Sequence, residues 1–398
     1  MKKILPQHFP YVFLVILLVF VASGLIINYQ EQQFSYLALS FLKGKLDISS
    51  YPTAWNDAAL YVGNYFWPLG PFPALTLLPF VYIFNIFGLF FHQRYLQVPL
   101  VLAIIYLIYK LARKLKYDKP DSIYLVIAFN LASVFIVIVQ NSWSWEFATV
   151  MTVLLTFLAL NEYFGRKNYL KIGIIYGCLL LTRVSASFGI TLFLLNAFYD
   201  KLKTRQKLRN VSKLLIPYIF SILVLGLYNF ARFGNFFEQG YSYQLTQGGA
   251  LVARSYGLFS PIHIPGNLYY FLVASPLPVL KDGVSRVLAF PYLTFDPWGM
   301  GIFYTSPYFI YLFFLKYKDR LSKILIFTSV VVALPIFLYY GIGIFQYGYR
   351  YSLDFLPYLF LLLIKNYREQ KGTLSFGFKA TIVGSSLFNL YMLATHVI

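Results

Sequence analysis

Charged residues are scarce in this sequence. They make up 12% of its 398 residues, against about 25% in a typical soluble domain. Hydrophobic residues account for 59%, and the mean hydropathy is +0.65. Apolar runs of about 18 residues or more, the length that a helix needs to cross a bilayer, recur along the chain. The composition therefore excludes an ordinary soluble domain and predicts an all-α polytopic membrane protein.

Several common motifs are also missing. The single cysteine, Cys178, excludes an internal disulfide and a cysteine-based zinc site. The sequence contains no Walker loop, no Gly-x-Gly-x-x-Gly fingerprint and no His-Glu-x-x-His motif. It thus gives no sign of a nucleotide-bound substrate and no dedicated metal motif, although a divalent cation held without such a motif stays open.

The hydrophobic runs predict about eleven membrane-spanning helices. The segment Phe72–Phe91 contains Pro73 and Pro79, and we predict that it is re-entrant or interfacial, because a full crossing would place the following basic cluster outside. The predicted spans are Phe9–Ile27, Tyr95–Leu111, Ile123–Val139, Trp145–Phe164, Ile172–Leu181, Phe188–Phe198, Leu214–Phe230, Ser306–Leu315, Ile324–Tyr340, Leu353–Ile364 and Phe376–His396.

The formal net charge of +19 is concentrated in short connectors, which hold 24 of the 33 Lys and Arg. Such clusters mark cytoplasmic loops, so the charge indicates membrane orientation and not nucleic-acid binding. The pattern predicts a cytoplasmic N-terminus, a C-terminus outside and contact with membrane lipids. Acids within the clusters are interpreted as partners of the neighbouring cations. The clusters are Lys2–Lys3, Lys110–Lys119, Arg166–Lys171, Lys201–Lys213, Lys316–Lys323 and Lys365–Lys379.

Two long, less hydrophobic segments, residues 28–71 and 231–305, lie on the predicted outer side. The rest of residues 1–398 is read as one transmembrane domain beneath them. Two large loops over a helical bundle predict a cleft that opens both to the bilayer and to water.

The first outer loop carries the candidate general bases, Glu31 and Asp57. Carboxylates kept at a membrane surface are functional candidates because desolvation there raises their proton affinity. Each is equally consistent with a helix cap or an ordinary loop carboxylate. Removal of a proton from a substrate hydroxyl would need one of them within hydrogen-bonding reach.

Three arginines are candidate ligands for a phosphate, because guanidinium offers a planar fork of donors. Arg183 lies between two apolar runs. Arg350 is followed by Asp354, and a salt bridge between these two is the alternative interpretation. Arg232 with Glu238 repeats the arrangement.

Aromatic residues make up 21% of the chain. Many fit the aromatic belts of a membrane protein. Those in the outer loops also suit sugar rings, whose C–H faces pack on aromatics; candidates are Tyr65, Trp67 and Tyr241.

Three stretches resemble the membrane glycosyltransferases of the GT-C superfamily, nearest to the bacterial protein O-mannosyltransferase and aminoarabinose-transferase type. They are Gln30-Glu31 followed by Phe34–Leu46, then Tyr65–Pro73 (YFWPLGPFP), then Gly177–Thr191 (GCLLLTRVSASFGIT). The family places Asp-Glu after the first span, followed by juxtamembrane helices in a long first outer loop. Here Gln30 occupies the first of the two acidic positions, so the base is either Glu31, which matches the second position, or Asp57. Asp57 is preferred because it precedes the Tyr65–Pro73 return that should wall the acceptor site.

The resemblance implies transfer of a sugar from a polyprenyl-phosphate donor to a glycan, lipid or protein acceptor at the outer face of the plasma membrane. It also implies that the arginines stabilise the departing phosphate. Two alternatives remain open: a flippase or transporter of lipid-linked sugars, and a non-catalytic assembly subunit, which the amide at Gln30 favours.

Overall fold

The computed structural model describes residues 9–26, 31–343 and 346–395. Gln30, Lys2 and Lys3, and the ends of the first and last predicted spans at Ile27 and His396, lie outside these residues. The chain is mainly helical, as predicted. The helices are α1 Phe9–Ser23, α2 Gln33–Leu42, α3 Phe72–Ile86, α4 Arg94–Lys114, α5 Lys119–Asn130, α6 Phe135–Gln140, α7 Ser144–Tyr163, α8 Tyr169–Leu180, α9 Val184–Ser187, α10 Ile190–Tyr199, α11 Thr204–Phe233, α12 Gly248–Ser255, α13 Ile264–Leu272, α14 Ile302–Thr305, α15 Arg320–Leu338, α16 Leu356–Lys371 and α17 Phe376–Thr395.

Short elements complete the chain. Two antiparallel hairpins are formed by β1 Ala59–Tyr61 with β2 Asn64–Phe66, and by β3 Leu277–Leu280 with β4 Leu288–Thr294. The 3-10 helices are Tyr241–Tyr243, Pro261–His263, Pro307–Phe314 and Arg350–Asp354.

The chain divides into two compact units. Unit A comprises Val21–Leu107 and Ile138–Leu258; unit B comprises Met1–Phe20, Ile108–Val137 and Phe259–Ile398. Each is described by itself below. The prediction of one transmembrane domain concerns the whole chain and stays a prediction.

Within the described residues, four helices are long and apolar enough to cross a membrane: α4, α7, α11 and α15. Their lengths are 21, 20, 30 and 19 residues. A rise of about 1.5 Å per residue makes the shortest about 28 Å long, close to the hydrocarbon thickness of about 30 Å. The predicted total of eleven spans is not confirmed.

In three predicted segments, the backbone structure has a feature that the hydrophobic pattern does not indicate. The run Ile123–Val139 is interrupted between α5 and α6, where the Ser133 hydroxyl donates to Phe129 O at 2.5 Å and accepts from Phe135 N–H at 3.1 Å. The run Ser306–Leu315 contains a 3-10 helix. Helix α3 is continuous through Pro79 but is only 15 residues, or about 22 Å, long.

Unit A is built on close contact of α8 with α7 and α11. Gly173 of α8 lies so near α11 that a Cβ on it would be 2.5 Å from the carbonyl oxygen of Leu214. Small residues allow such helix approach within a membrane. The segment predicted to be the first outer loop contains α2, which packs on α3 and buries Phe34, Leu37 and Ala38. The expected helix in this loop is confirmed.

Candidate active site

The carboxylate of Glu31 lies half-buried between α1 and α2. Asn56 Nδ2 donates a hydrogen bond to Glu31 Oε1 at 2.9 Å. Burial raises the pKa of Glu31, because a charged carboxylate loses hydration there, whereas the Asn56 hydrogen bond lowers it. The nearby negative charges of Asp57 and Glu146 raise the pKa further. Glu31 therefore holds a proton more strongly than an ordinary glutamate.

Asp57 is exposed and lies later in the same loop as Glu31. Its Oδ2 accepts a hydrogen bond from Trp145 Nε1 at 3.0 Å, and its backbone carbonyl accepts from Gln244 Nε2 at 3.2 Å. The residue has a left-handed backbone, with φ of 53°, which Asp tolerates better than most residues. Asp57 thus ties the first outer loop to α7 and to the segment around Gln244.

Glu146 follows Trp145 in the first turn of α7 and is 2% exposed. A helix N-terminus favours a negative charge. The sequence places this residue on the outer side but does not single it out as a site residue. Its proximity to Glu31 arises from the tertiary fold. In the sequence, the one feature that points to Glu146 is an acid at the start of an apolar run.

Gln93, which sequence analysis also missed, holds these segments together. Its backbone N–H donates to Gln32 Oε1 at 2.9 Å. Its side-chain amide donates to Ser142 O at 2.5 Å, and within 3.4 Å to Ser144 Oγ and Glu31 O. A fully buried amide with this many partners fixes the backbone of Glu31 against the turn that precedes α7.

Two stretches that carry the sequence resemblance meet in unit A. Phe72 N–H donates to Leu181 O at 3.0 Å. A Cβ added to Gly70 would lie 2.0 Å from that same oxygen, so only glycine fits at this position. The Pro-rich segment Tyr65–Pro73 is therefore seated on the end of α8, two residues before Arg183.

Arg183 stands in extended backbone at the start of α9. Its Nη1 donates to Thr149 Oγ1 at 3.4 Å. Thr149 lies four residues after Trp145, whose carbonyl oxygen accepts from the Thr149 hydroxyl at 2.9 Å. Residues three or four apart share one helix face, so Thr149 is a neighbour of both Glu146 and Trp145. The structure thus brings Arg183 to the face of α7 that also carries Trp145 and Glu146.

Trp67 and Arg232 are both buried and contact each other. Arg232 Nη1 donates to Trp67 O at 2.7 Å, and its guanidinium stacks 3.9 Å from the Tyr228 ring centroid. The Trp67 ring lies 5.0 Å from that of Trp145. Within the described residues, the Trp67 indole N–H has no acceptor. These contacts make Arg232 a support for the Pro-rich segment.

The remaining predicted residues of unit A lie in its loops. Tyr65, in β2, accepts a backbone hydrogen bond from Ile48 N–H at 2.8 Å. Glu238 Oε1 accepts from the N–H groups of Gly240 and Ser242 at 2.6 and 3.3 Å, and so caps its own loop. Tyr241 begins the 3-10 helix in that loop.

Arg350 and Asp354 lie in unit B, whereas every other site residue named above lies in unit A. They are the two ends of one 3-10 helix. The Arg350 guanidinium lies 5.7 Å from the Tyr351 ring centroid, and Asp354 is fully buried.

Across residues 9–26, 31–343 and 346–395, no group of three or more His, Cys, Asp or Glu is arranged to hold a metal ion. Asp57 and Glu146 thus act on Glu31 through their charge, and the three carboxylates do not form such a group.

No protein-family model and no curated protein matches the chain. Solved structures of an oligosaccharyltransferase from Archaeoglobus fulgidus align with 98% of it. The apo form gives a TM-score of 0.45 at 11% identity over 55% of that chain. A form tethered to an acceptor peptide with an NVT sequon gives 0.42 at 13% over 54%. AglB with an inhibitory peptide and a dolichol-phosphate gives 0.41 at 13% over 56%.

The chain spans about 55% of the length of the first of these structures. Likeness at TM-scores below 0.5 and such low identity does not establish a shared fold. What this chain does is therefore inferred below from its own residues.

The Gly70 contact gives a first prediction. Gly70→Ala should destabilise the protein by about 1–3 kcal/mol, the usual cost of forcing an extra methyl into a packed interior. It should also reduce activity, because it displaces the Pro-rich segment from Leu181, which lies two residues before Arg183. Thermal unfolding in detergent measures the first effect. Gly249→Ala is the matched control, because a Cβ there meets no atom within 4 Å. Equal melting temperatures for the two variants would contradict the close contact.

Proposed function

We propose that this chain is an integral-membrane glycosyltransferase that moves a sugar from a polyprenyl-phosphate donor to a hydroxyl of a glycan, lipid or protein acceptor. Its apolar helices and the contact between two of the stretches that resemble GT-C enzymes support this proposal. The reaction takes place at the outer face of the plasma membrane, with the N-terminus in the cytoplasm and the C-terminus outside.

The observation that carries the proposal is the environment of Glu31. A general base works best when its pKa lies near the working pH, and burial together with two neighbouring carboxylates raises the pKa of Glu31 in that direction. Asp57 is exposed and engaged by Trp145. We therefore assign the base role to Glu31 and a supporting role to Asp57.

The proposed reaction is a single displacement at the anomeric carbon. Glu31 takes the proton of the acceptor hydroxyl as its oxygen bonds to that carbon. The bond from carbon to phosphate oxygen breaks, and the electron pair leaves with the polyprenyl phosphate. Arg183 stabilises the charge on this phosphate, as preorganised donors do for developing anions.

The other predicted contacts remain part of the proposal. Tyr65, Trp67 and Tyr241 would wall the sugar site, with Arg232 and Glu238 fixing their loops. Arg350 and Asp354 stay candidate donor-binding residues. A lipid-linked-sugar flippase would not need a tuned base, so the Glu31 environment favours the transferase.

The pH dependence of turnover tests the proposal. Since the base acts when deprotonated, activity should fall as the pH drops through the raised pKa of Glu31. Asp57→Asn removes a charge that raises this pKa, so the acidic limb of kcat/KM should move to lower pH. Asn56→Ala removes the hydrogen bond that lowers it, so the limb should move to higher pH. The assay is transfer from a synthetic polyprenyl-phosphate sugar by purified protein.

Glu162→Gln provides the control. This acid lies at the other end of α7 from Glu146, roughly 24 Å away along the helix, and its variant should leave the limb in place. Lower rates with an unshifted limb in both test variants would show that they act only through structure and that Glu31 is not the base. A wild-type protein inactive with every donor would support the assembly subunit.

A further inference from the structure

The strands of the unit B hairpin, residues 277–294, have almost no polar side chains. The strands read LPVL and LAFPYLT, and only Thr294 is polar. They pair antiparallel, with Leu277 opposite Thr294 and Leu280 opposite Leu288. A two-stranded hairpin is marginally stable in water unless something covers its apolar face.

Much of this apolar surface is exposed. Val284, at the tip, is 90% exposed, Phe290 is 72% exposed and Tyr292 is 51% exposed. Leu277, Leu280, Val287 and Leu288 are also exposed. A contiguous apolar surface of this kind marks contact with a protein or a membrane.

Charge distinguishes between these two partners. Lys281 and Arg286 flank the tip, and within the described residues neither side chain forms an ion pair or hydrogen bond. The only acid of the hairpin, Asp282, is used internally: its carboxylate accepts from Val284 N–H at 2.9 Å and from the Ser285 hydroxyl at 2.7 Å. Two free cations beside aromatic and aliphatic side chains are typical of a surface that lies in a membrane interface.

The packing of the hairpin against α17 also favours a location in the membrane interface. Tyr391 Oη donates to Pro291 O at 2.5 Å, and α17 packs against β4. Tyr391 lies near the C-terminal end of α17, which the sequence predicts to emerge at the outer face. Helix α17 therefore holds the hairpin at the depth where this predicted span leaves the bilayer.

We propose that residues 277–294 are seated in the lipid–water interface, with Val284 and Phe290 among the lipid chains and with Lys281 and Arg286 on anionic lipid phosphates. The hairpin then needs no protein cover, because lipid covers its apolar face. This anchor is independent of the proposed transferase reaction.

Spin labels provide the test. In a Cys178→Ala background, which removes the only cysteine, Val284→Cys is labelled and the full chain is reconstituted into phosphatidylcholine vesicles containing phosphatidylglycerol. Collision rates with oxygen and with a water-soluble nickel chelate are measured. We expect high oxygen and low nickel accessibility, as for Val330→Cys on the exposed side of α15. Lys318→Cys, on an exposed connector, should show the opposite.

Two results would overturn the proposal. Nickel accessibility like that of the Lys318 label would place the hairpin in water. Low accessibility to both reagents would place it under protein. The phosphate contacts have their own test: replacement of Lys281 and Arg286 by Glu should make the Val284 label shallower in vesicles with phosphatidylglycerol and not in phosphatidylcholine alone. An equal depth in both lipid mixtures would remove the anionic-lipid part.

Discussion

Glu31→Gln is expected to reduce sugar transfer about 10²- to 10⁴-fold, the usual cost of losing a general base. The substitution keeps the shape of the side chain and the acceptor oxygen for Asn56, but an amide has no basic site at neutral pH. Because the loss lies in the chemical step, kcat should fall while donor binding changes little. Turnover of a synthetic polyprenyl-phosphate sugar by purified protein measures both.

The comparison with Asp57→Asn decides between the two carboxylates. If Asp57 only tunes its neighbour, its variant should retain most of the maximal rate and show the shifted acidic limb. Full activity of Glu31→Gln together with inactive Asp57→Asn would reverse the assignment. Glu162→Gln, on the same helix as Glu146, controls for the loss of a negative charge and should stay at the wild-type rate.

The sequence predicts local features of this protein well. The resemblance to GT-C enzymes implies a juxtamembrane helix at Phe34–Leu46, and α2 occupies most of that range. Acids among the basic clusters were interpreted as partners of cations, and this is confirmed for Asp200 with Lys167 at 2.9 Å and for Asp319 with Lys365 at 3.0 Å. The helix depends on residues close in sequence. The ion pairs join residues 33 and 46 positions apart, so composition predicts that each acid has a cationic partner but not which one.

Tertiary contacts are where the sequence is insufficient. Glu31 and Asp57 stand 26 positions apart in one loop and Glu146 belongs to α7, and hydropathy contains no information about their mutual distance. The interruption at Ser133 was missed for a related reason: one hydroxyl redirects backbone hydrogen bonds within a run that is otherwise apolar. The contact of Gly70 with Leu181 follows from packing, and no property of glycine alone predicts its partner.

The same lack of tertiary information explains why the sequence does not show which arginine binds the phosphate and which one supports the fold. Arg183 and Arg232 are both single charges in apolar surroundings, yet their contacts differ. Arg232 donates to a backbone carbonyl and stacks on Tyr228, so it fixes the chain. Arg183 contacts a hydroxyl on the helix face that carries Trp145 and Glu146. Only the latter arrangement places a guanidinium against the helix that carries Glu146, one of the charges acting on the proposed base.

Arg183→Ala is therefore expected to lower kcat about 10²- to 10³-fold, as loss of a preorganised donor to a developing anion typically does. Arg183→Lys keeps the charge but loses the planar fork, so its rate should lie between those of the Ala variant and the wild type. The effect should concern the departing phosphate, and a donor with a more acidic leaving group should recover part of the lost rate.

Two variants separate this role from a structural one. Thr149→Val removes the hydroxyl that accepts from Arg183 and should cost less than removal of the guanidinium. Arg209→Lys, at an exposed position of α11, is the matched control and should be silent. If Arg183→Ala lowers the melting temperature and the rate together, with no recovery by the better leaving group, Arg183 supports the turn after α8 and another cation binds the phosphate. Wild-type turnover in Arg183→Ala would exclude the phosphate role, since a guanidinium that stabilises the leaving group cannot be removed without a change in rate.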